Sequence, residues 1–260
     1  MLKLKNSLYL EKYYANSITF FDVFKPIRFM QFQGKSSYCK FFNTINYYTK
    51  QIDLIPSNDE IKATFSKSVK YHINKSKKAG VTFHTFPLNT KEAIKFYVDY
   101  FNEFSKSKDL YFTITEKEIQ QFLNIDSFIV TYAQYNNQIL VMHGYTIDKE
   151  LKIVNLRHSA SHFRFLEEDT IDRNFVGMAN RFLHYEDMLY FKEQGDEIYD
   201  LGGYQVEETE DQGLLQINTF KDGFRGTLVQ QNHYESYPFV LLKTLYRFYS
   251  YSKKIVLKKK

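Results

Sequence analysis

The sequence contains few cysteine, proline and glycine residues and no long apolar segment. Its 260 residues include one cysteine, four prolines, ten glycines and no tryptophan. A single cysteine excludes a disulfide framework and a zinc site built from several thiolates. No segment approaches the roughly eighteen uninterrupted apolar residues of a membrane helix, and the first residues lack the apolar run and cleavage site of a secretory signal. We therefore expect a soluble cytoplasmic protein.

What the sequence does contain is typical of a globular enzyme or binding protein. Hydrophobic residues make up 43% and charged residues 25% of the chain, which provides enough apolar material for a core. The formal net charge of +5 suits an anionic partner such as a phosphate-bearing metabolite. No nucleic-acid-binding motif or domain-wide basic stripe accompanies this charge, so nucleic acid is not the expected partner.

The order of the predicted elements is that of a mixed α/β protein. The first eighty residues are predicted to form short strands in SITFFDVF, IRFMQFQ and CKFFNTINYYTKQIDL, then one helix that starts near Ser57 and ends at Gly80. From Val81 the predicted order is β-α-α-β-β-β-α-β-α-β with a closing helix, and the three central strands form an antiparallel meander. We predict two parts, residues 1–80 and residues 81–260, packed into one body.

Six residues at the start of the long predicted helix carry the first functional signal. The stretch Asn174-Phe-Val-Gly177-Met-Ala179 resembles the Q/R-x-x-G-x-G/A pattern that acyl-CoA-dependent N-acyltransferases of the GNAT superfamily carry in the loop between their fourth strand and the next helix. Amides at a helix start bind a pyrophosphate, and small residues leave room for it. Asn replaces the usual Gln or Arg, and a close helix-to-sheet contact is the other explanation of Gly177.

The GNAT resemblance implies coenzyme A as the cofactor, brought by an acyl-CoA co-substrate. It also implies that a backbone N–H near the end of the strand KIVNLRHSA, where two strands of such a sheet diverge, holds the thioester carbonyl. The predicted coenzyme A-binding residues are Leu156 on that strand and, around the six-residue pattern, Arg173, Asn174, Val176, Gly177, Met178 and Ala179.

Longer segments resemble FemAB-like proteins, over roughly residues 50–248. The resemblance lies in QIDLIPSNDEIKATFSKSVKYHINKSKKAGVTF, LRHSASHF, LHYEDMLYFKEQGDEIYDLGGY and LLQINTFKDGFRGTLV. It implies a GNAT-like α/β (α+β) fold in a tandem arrangement, with a reduced amino-terminal GNAT-like half packed against a complete carboxy-terminal GNAT domain. Arg225 departs from the Gly that the family usually has there, and no coiled-coil arm for aminoacyl-tRNA is present.

Three residues are candidates for the chemistry. His158, at the end of a strand, has a side chain whose ordinary pKa suits a general base, and a hydrogen-bonded structural histidine is the alternative. Asp200 ends the next strand, where it either positions the amine or caps the turn at Gly202. Lys221 matches the lysine of the FemAB-like Phe-Lys block, which in that family lies at the acyl-transfer centre; the alternative is a solvated helix lysine.

Other residues are candidates for holding the acceptor. The predicted substrate-binding residues are Tyr71, Lys75 and Lys78 on the basic helix, with Gly203 and Tyr204 after the YDL strand. Lysines on such a helix are otherwise a solvated face. His143, His162, His184 and His233 lack the i, i+4 spacing of a helical metal site, so no metal is predicted. Cys39 is expected to be a small buried hydrophobe rather than a nucleophile.

Together these features predict an N-acyltransferase that uses acyl-CoA and a nucleotide-linked deoxyamino sugar. It would act as a monomer, by direct attack of the amine in a ternary complex, without metal, membrane or nucleic acid. Two alternatives stay open. One is a FemAB-type transferase that takes an aminoacyl group from tRNA to a cell-wall precursor, and the other is a non-catalytic binding protein.

Overall fold

The computed structural model describes residues 2–5, 8–32, 34–108, 110, 112–161 and 172–258. The chain divides into two compact units, which we call unit 1 (residues 1–47 and 230–260) and unit 2 (residues 48–229). In the described part, no helix combines the length and the hydropathy of a membrane span.

The described residues form ten strands and seven α-helices. The strands are β1 (Leu2–Lys5), β2 (Leu10–Tyr13), β3 (Ile27–Phe32), β4 (Phe42–Asp53), β5 (Thr82–Phe86), β6 (Phe128–Tyr135), β7 (Gln138–Asp148), β8 (Ile153–Ser161), β9 (Ile198–Gly203) and β10 (Thr227–Ser236). The helices are α1 (Asn58–Thr64), α2 (Lys67–Ala79), α3 (Lys91–Ser107), α4 (Glu116–Leu123), α5 (Arg173–Glu193), α6 (Gln212–Asp222) and α7 (Tyr237–Lys258). This order confirms the mixed α/β class and the element order predicted after Val81.

Unit 2 is built on a sheet with the strand order β4-β9-β8-β7-β6-β5. Strands β5 to β8 are antiparallel neighbours, and Asn136 and Asn137 turn between β6 and β7 with φ of 47° and 62°, as the hairpin prediction requires. Strand β9 runs parallel to β8 because α5 crosses over between them. Strand β4 then pairs antiparallel with β9.

The core of unit 2 lies between α5 and the sheet. Leu183, Met188 and Phe191 of α5 are fully buried, in one cluster with Tyr145 of β7 and Tyr199 of β9. Helix α2 packs beside α5 and adds Val69 and Ile73 to the same cluster. Burial of this apolar surface is the main stabilising contribution to the unit.

The single helix predicted from Ser57 to Gly80 is two helices. Helix α1 ends at Thr64, and Ser66 starts α2 because its side chain accepts a hydrogen bond from Val69 N while its own N–H donates to Gly223 O at 2.9 Å. The predicted end is correct: Gly80 closes α2 in the left-handed conformation, with φ of 91°, which glycine adopts without strain.

In unit 1 the strands lie in the order β1-β2-β3-β10. Its core consists of aromatic rings packed edge to face, Phe29 against Phe42 and Phe32 against Tyr234, and Cys39 packs partly buried beside them. The strand predicted in SITFFDVF is wrong: Phe20–Phe24 form a 3-10 helix. Asp22 fixes its start by accepting hydrogen bonds from the N–H and hydroxyl of Thr19 at 2.9 and 2.8 Å.

The boundary predicted at residue 80 concerns two GNAT-like halves of the chain, and it stays a prediction. The compact units of the structure change instead between residues 47 and 48 and between residues 229 and 230. Unit 1 therefore combines both ends of the chain, while all of the predicted site residues lie in unit 2.

Candidate active site

The end of strand β9 brings Asp200 into a fully enclosed polar position. Its carboxylate accepts hydrogen bonds from the Thr49 hydroxyl, from Gln51 Nε2 at 2.9 Å and from Gly202 N at 2.7 Å. Burial raises the pKa of Asp200 above its ordinary value, and the hydrogen bonds from Thr49 and Gln51 oppose that rise. The predicted turn-capping role is thus present, and the donors also suit an ionised carboxylate.

Lys221 of α6 points its ammonium group at the same place. Its side chain is buried, its Nζ donates a hydrogen bond to Gly203 O, and the prediction of a solvated lysine is wrong. Burial lowers the pKa of Lys221 from 10.5 to about 8, although the nearby Asp200 charge acts to raise it. We call Thr49, Gln51, Asp200 and Lys221, with the backbone of residues 202 and 203, the β9 cluster.

Gly202 lets the β9 cluster approach the neighbouring strand. Its φ is 75°, and an added Cβ would lie 3.1 Å from Leu156 O and 4.0 Å from Lys221 Nζ. A side chain is therefore excluded both by the left-handed backbone and by a strand carbonyl. The predicted site residues Leu156, Asp200, Gly203 and Lys221 consequently lie around one point.

The pairing of β8 with β9 ends close to this point, in the region where the GNAT resemblance predicts that two strands separate. Their described pairing runs from Ile153 and Ile198 to Asn155 and Asp200, while β8 continues to Ser161. The pairing of β7 with β8 shifts register between Gly144 and Tyr145, which places a bulge at Arg157. Bulges of this kind re-aim backbone and side chains beside active sites.

Tyr204 lies next to the β9 cluster, as predicted. Its hydroxyl donates to Asp222 Oδ2 at 2.9 Å, and its ring lies under Lys50 Nζ, 4.9 Å from the ring centre. Lys50 in turn forms an ion pair with Asp222 at 3.0 Å. These contacts hold Asp222, the residue that follows Lys221.

A cavity of about 300 Å³ opens beside this segment of α6. It is lined by Ser66, Ser68, Val69, Arg181, Thr219, Phe220, Asp222, Gly223 and Arg225. Phe220 and Asp222 flank Lys221 in sequence, and the Arg181 guanidinium lies 4.7 Å from the centre of the Phe220 ring. Two arginines and the first turn of α2 outweigh the one carboxylate of the lining, Asp222, which is itself paired with Lys50. The lining is therefore net positive, which suits a phosphate-bearing substrate.

The predicted pyrophosphate loop is a helix. Helix α5 begins at Arg173, where Asp172 accepts a hydrogen bond from Phe175 N at 2.7 Å, so Asn174, Gly177 and Ala179 are all helical. Amides beyond the first turn belong to the helical hydrogen-bond ladder. The expectation of free amides at Gly177, Met178 and Ala179 is therefore wrong. The preceding residues 162–171, including His162, lie outside the described residues.

Gly177 is nevertheless not explained by packing. Val176, Met178 and Ala179 are buried against the core, whereas an added Cβ at Gly177 would meet only Arg181 Nη1, at 3.8 Å. The close helix-to-sheet contact considered above is thus wrong as well. Because Gly177 has no side chain, the helix backbone is uncovered beside Arg181. Arg181 Nη1 donates a hydrogen bond to Gly177 O at 2.9 Å.

The structure contradicts the general-base role predicted for His158. Its ring is enclosed by aromatic side chains, and its Nδ1 lies 2.7 Å from the Tyr97 hydroxyl. Its Nε2 is buried without a hydrogen-bond partner, and burial lowers the pKa of His158 well below its ordinary value. This burial and the contact with Tyr97 favour the structural alternative.

The residues predicted on the basic helix stand apart from the β9 cluster. Tyr71 is exposed, and Lys75 Nζ lies 5.7 Å from the centre of its ring. Lys75 and Lys78 also face solvent. Only the first turn of α2, through Ser66 and Ser68, borders the cavity. Acceptor binding by Tyr71, Lys75 and Lys78 stays a prediction.

A second buried polar cluster is not predicted by the sequence patterns. Asp187 accepts hydrogen bonds from Thr131, His143 and Tyr145 at 2.6, 2.8 and 2.5 Å. Tyr199 then joins the Tyr145 hydroxyl to His184 Nδ1, each at 2.7 Å. We call these six residues the α5 network. The only sequence signal for the α5 network is that its polar residues stand at positions where the spacing of apolar residues in the helix and the strands predicts a buried side chain.

The α5 network includes three side chains of metal-ligating type. Suitable atoms of His143, His184 and Asp187 lie within 4.8 Å of one another. The His143 Nδ1 to Asp187 Oδ2 distance of 2.8 Å is that of a hydrogen bond, whereas two ligands of one tetrahedral zinc ion stand about 3.3 Å apart. These side chains satisfy one another, and we assign them a structural role.

Comparisons with known proteins show the fold. No protein-family model matches the chain, and no curated protein matches it in sequence. Among solved structures it resembles FemX, with a TM-score of 0.58 and 12% identity over 76% of this chain and 63% of FemX. It therefore spans less than two thirds of FemX.

Two further structures are similar over most of the chain. One is the C-terminal domain of a protein from Agrobacterium fabrum that is named as a lysylphosphatidylglycerol synthetase, with a TM-score of 0.56 and 11% identity. The other is L-PGS from Bacillus licheniformis, with a TM-score of 0.56 and 12% identity. Each comparison covers 90% of this chain and 79% of the other. The chain has a FemAB/GNAT-like fold.

Proposed function

We propose that the protein is an N-acyltransferase. It moves a short acyl group, acetyl or hydroxybutanoyl-like, from acyl-CoA to the amino group of a nucleotide-linked deoxyamino sugar of the dTDP-amino-dideoxyhexose class, for surface polysaccharide or O-antigen biosynthesis. The observation that supports transfer at the β9 cluster is a buried Lys221 ammonium, held at Gly203 O beside Asp200, where the pairing of two parallel strands ends. Such buried, perturbed groups beside a cavity are typical of active sites.

Lys221 is proposed to stabilise the charge that develops in the reaction. The free amine attacks the thioester carbon and an oxyanion forms; the carbon–sulfur bond then breaks, and the proton lost by the attacking nitrogen passes to the leaving thiolate, which gives the amide and free coenzyme A. With a pKa of about 8, Lys221 is mostly ammonium at pH 7, and it has N–H groups beyond the one donated to Gly203 O. A donor placed at an oxyanion contributes about 10²- to 10³-fold to the rate.

The electropositive cavity is proposed to hold the phosphates of a substrate. Arg181 and Arg225 line it from α5 and from the segment after α6, and guanidinium groups bind phosphate in a bidentate manner. The bare backbone at Gly177 leaves space on the Arg181 side. This position fits a pyrophosphate, whether it belongs to coenzyme A or to the nucleotide of the acceptor.

Aminoacyl transfer from tRNA to a cell-wall precursor is the second candidate. The similarity to FemX supports it, as does the helical conformation of residues 174–179, which leaves no free amides for coenzyme A within that described stretch. The named product of the Agrobacterium neighbour, lysylphosphatidylglycerol, likewise joins an aminoacyl group to an acceptor. In this second candidate the β9 cluster has the same role, while the donor and the acceptor both differ.

Thermal melting separates the two donors. A ligand that binds the folded state stabilises it by about 2.7 kcal/mol at one hundred times its dissociation constant. We expect coenzyme A and a dTDP-amino sugar each to raise the melting midpoint, and tRNA to leave it unchanged. A midpoint raised by aminoacyl-tRNA and insensitive to coenzyme A would favour the second candidate.

The role of Lys221 is tested by mass-spectrometric detection of the acylated sugar. We expect Lys221→Met to slow transfer about 100-fold or more, as for loss of an oxyanion donor. Lys95→Met is the matched control, because Lys95 is an exposed lysine paired with Asp99 on α3. Equal rates for the two variants would remove Lys221 from the reaction.

A further inference from the structure

The last helix and the residues after it account for the excess positive charge of the chain. Residues 237–260 contain seven basic side chains and no acidic one: Lys243, Arg247, Lys253, Lys254, Lys258, Lys259 and Lys260. Without them, 28 basic side chains would face 30 acidic ones, and the sign of the net charge would reverse. The basic character of the protein is therefore a property of α7 and the residues that follow it.

One side of α7 is held by unit 1. Its first turn is fixed by Ser236, whose hydroxyl accepts a hydrogen bond from Phe239 N at 3.3 Å and another from Ile27 N at 3.1 Å. Phe239 is buried, and its ring centre lies 5.0 Å from that of Tyr9. Lys243 forms an ion pair with the buried Glu235. Helix α7 is thus attached along one face from its first residue.

The other side of α7 is a row of exposed apolar side chains. Tyr237, Leu241, Leu245 and Phe248 follow one another at spacings of four, four and three residues, which places them on one face of a helix. They are 61%, 61%, 56% and 68% exposed. We call these four residues the α7 face. Large apolar side chains grouped in this way mark an interaction site more often than a plain surface.

A neighbouring element of unit 1 adds to this surface. Helix α7 contacts the 3-10 helix Phe20–Phe24, in which Phe20, Phe21 and Phe24 are all more than half exposed. Aromatic rings insert readily at the boundary between headgroups and acyl chains of a bilayer. The exposed apolar surface therefore extends beyond a single helix face.

We propose that the α7 face docks unit 1 onto an anionic lipid bilayer, with α7 lying in the plane of the interface. An apolar stripe on a helix rich in lysine and arginine is the arrangement of an interfacial helix, and the acid-free charge complements anionic headgroups. A second copy of the chain fits less well, because an isologous contact would bring together two copies of α7, a helix whose sequence contains basic residues and no acidic one. The proposal is independent of which donor the β9 cluster uses.

Vesicle sedimentation tests the docking. The full chain is mixed with vesicles of phosphatidylcholine alone or with phosphatidylglycerol added. We expect binding to the anionic vesicles, weaker binding to neutral ones, and a decrease when the salt is raised from about 0.1 M to about 0.5 M. Absence of binding to the anionic vesicles at low salt overturns the proposal.

Two matched substitutions locate the binding surface. We expect Leu241→Glu to weaken binding about tenfold or more, because a charge replaces an inserted side chain. Ile55→Glu is the control, since Ile55 is an aliphatic residue of unit 2 that is 68% exposed. Equal binding of both variants overturns the proposal. So does a dimer in light scattering that Leu241→Glu converts to a monomer.

If Leu241→Glu also lowers the melting midpoint, its weaker binding does not by itself locate the surface. A second variant that changes only charge then decides. Lys253→Gln combined with Lys254→Gln leaves the apolar row intact and removes two of the seven basic side chains. We expect this variant to bind anionic vesicles several-fold less well, since each basic residue near the surface adds to the attraction. Unchanged binding would contradict the electrostatic part of the proposal and, with it, the assignment to an anionic bilayer.

Discussion

Unit 2 buries two groups of polar side chains that differ in how fully their charges are compensated. In the α5 network, every described member donates to or accepts from another member. In the β9 cluster, Asp200 is satisfied by three donors, but Lys221 is so poorly compensated that burial lowers its pKa to about 8. A closed network contributes rigidity, whereas a buried cation with spare N–H groups beside a cavity is available for a ligand.

The same contrast corrects the choice of catalytic residue. His158 and Lys221 are both buried and both have a lowered pKa. The ring of His158 is enclosed by aromatic side chains and its Nδ1 meets Tyr97 OH, while Lys221 Nζ lies at Gly203 O, the last residue of β9. Burial and a shifted pKa therefore do not identify an active-site residue unless the group also has access to substrate.

The largest effect is expected from breaking the α5 network. We predict that Asp187→Ala lowers the free energy of unfolding by about 3 to 5 kcal/mol, because it leaves His143 and two hydroxyl groups buried without their acceptor. Urea denaturation measures the change. Asp99→Ala, which removes an exposed carboxylate from a surface pair with Lys95, is the control and should cost less than about 1 kcal/mol. Similar losses in both would mean that the network is not a structural unit.

An intermediate effect is expected from changing the charge beside Lys221. Asp200→Asn removes the carboxylate that acts to raise the pKa of Lys221, so this pKa should fall below about 8. Because the ammonium form is the active one, transfer by the wild type should decline as the pH rises through about 8, and in the variant the decline should begin at lower pH.

The pH profile of kcat/KM checks this prediction. The amide side chain of the Asp200→Asn variant keeps one acceptor oxygen for the three donors, so we also expect a loss of roughly 1 to 3 kcal/mol in stability. A descending limb that stays at about pH 8 in the variant would show that Asp200 does not set the charge on Lys221.

The smallest effect is expected at Gly177 of α5. Gly177→Ala should raise the free energy of unfolding by up to about 1 kcal/mol, because alanine favours a helix interior over glycine and an added Cβ meets only the end of Arg181. Thermal melting measures it. A destabilised variant would restore the packing explanation of Gly177; a stabilised variant that binds substrate less well would place Gly177 at the site.

Much of the fold could be predicted because its signals are local. The predicted helix start near Ser57 is correct, because Ser57 caps α1, and the Asn-Asn turn fixes the hairpin between β6 and β7. The 3-10 helix at Phe20 is not predicted, because its aromatic residues favour a strand by composition. The signal that decides its conformation is the capping box of Thr19 and Asp22, which composition does not reveal.

The site could be predicted only in part, because its partners come from distant segments. Asp200, Gly203, Tyr204 and Lys221 lie within one stretch of sequence that resembles FemAB-like blocks. Thr49 and Gln51 reach Asp200 from a strand about 150 residues earlier in the chain, at sequence separations of 151 and 149, and no spacing rule connects them. The predicted start of α5 is too late because the prediction does not include Asp172, the residue that caps the helix.

The most direct test of the account is the stability of Lys221→Met relative to the wild type as a function of pH. With a folded pKa of about 8 against an ordinary 10.5, the folded state binds the Lys221 proton less tightly than the unfolded state. This penalty, about 3 kcal/mol, is fully present below pH 8 and disappears as the pH rises to about 10.5. After allowing for the lost hydrogen bond to Gly203 O, the variant should be roughly 2 kcal/mol more stable at pH 7, and the advantage should be lost at high pH. A variant that is less stable at pH 7, by an amount that does not change with pH, would contradict the claim that Lys221 is a charge kept in the fold at a cost to stability.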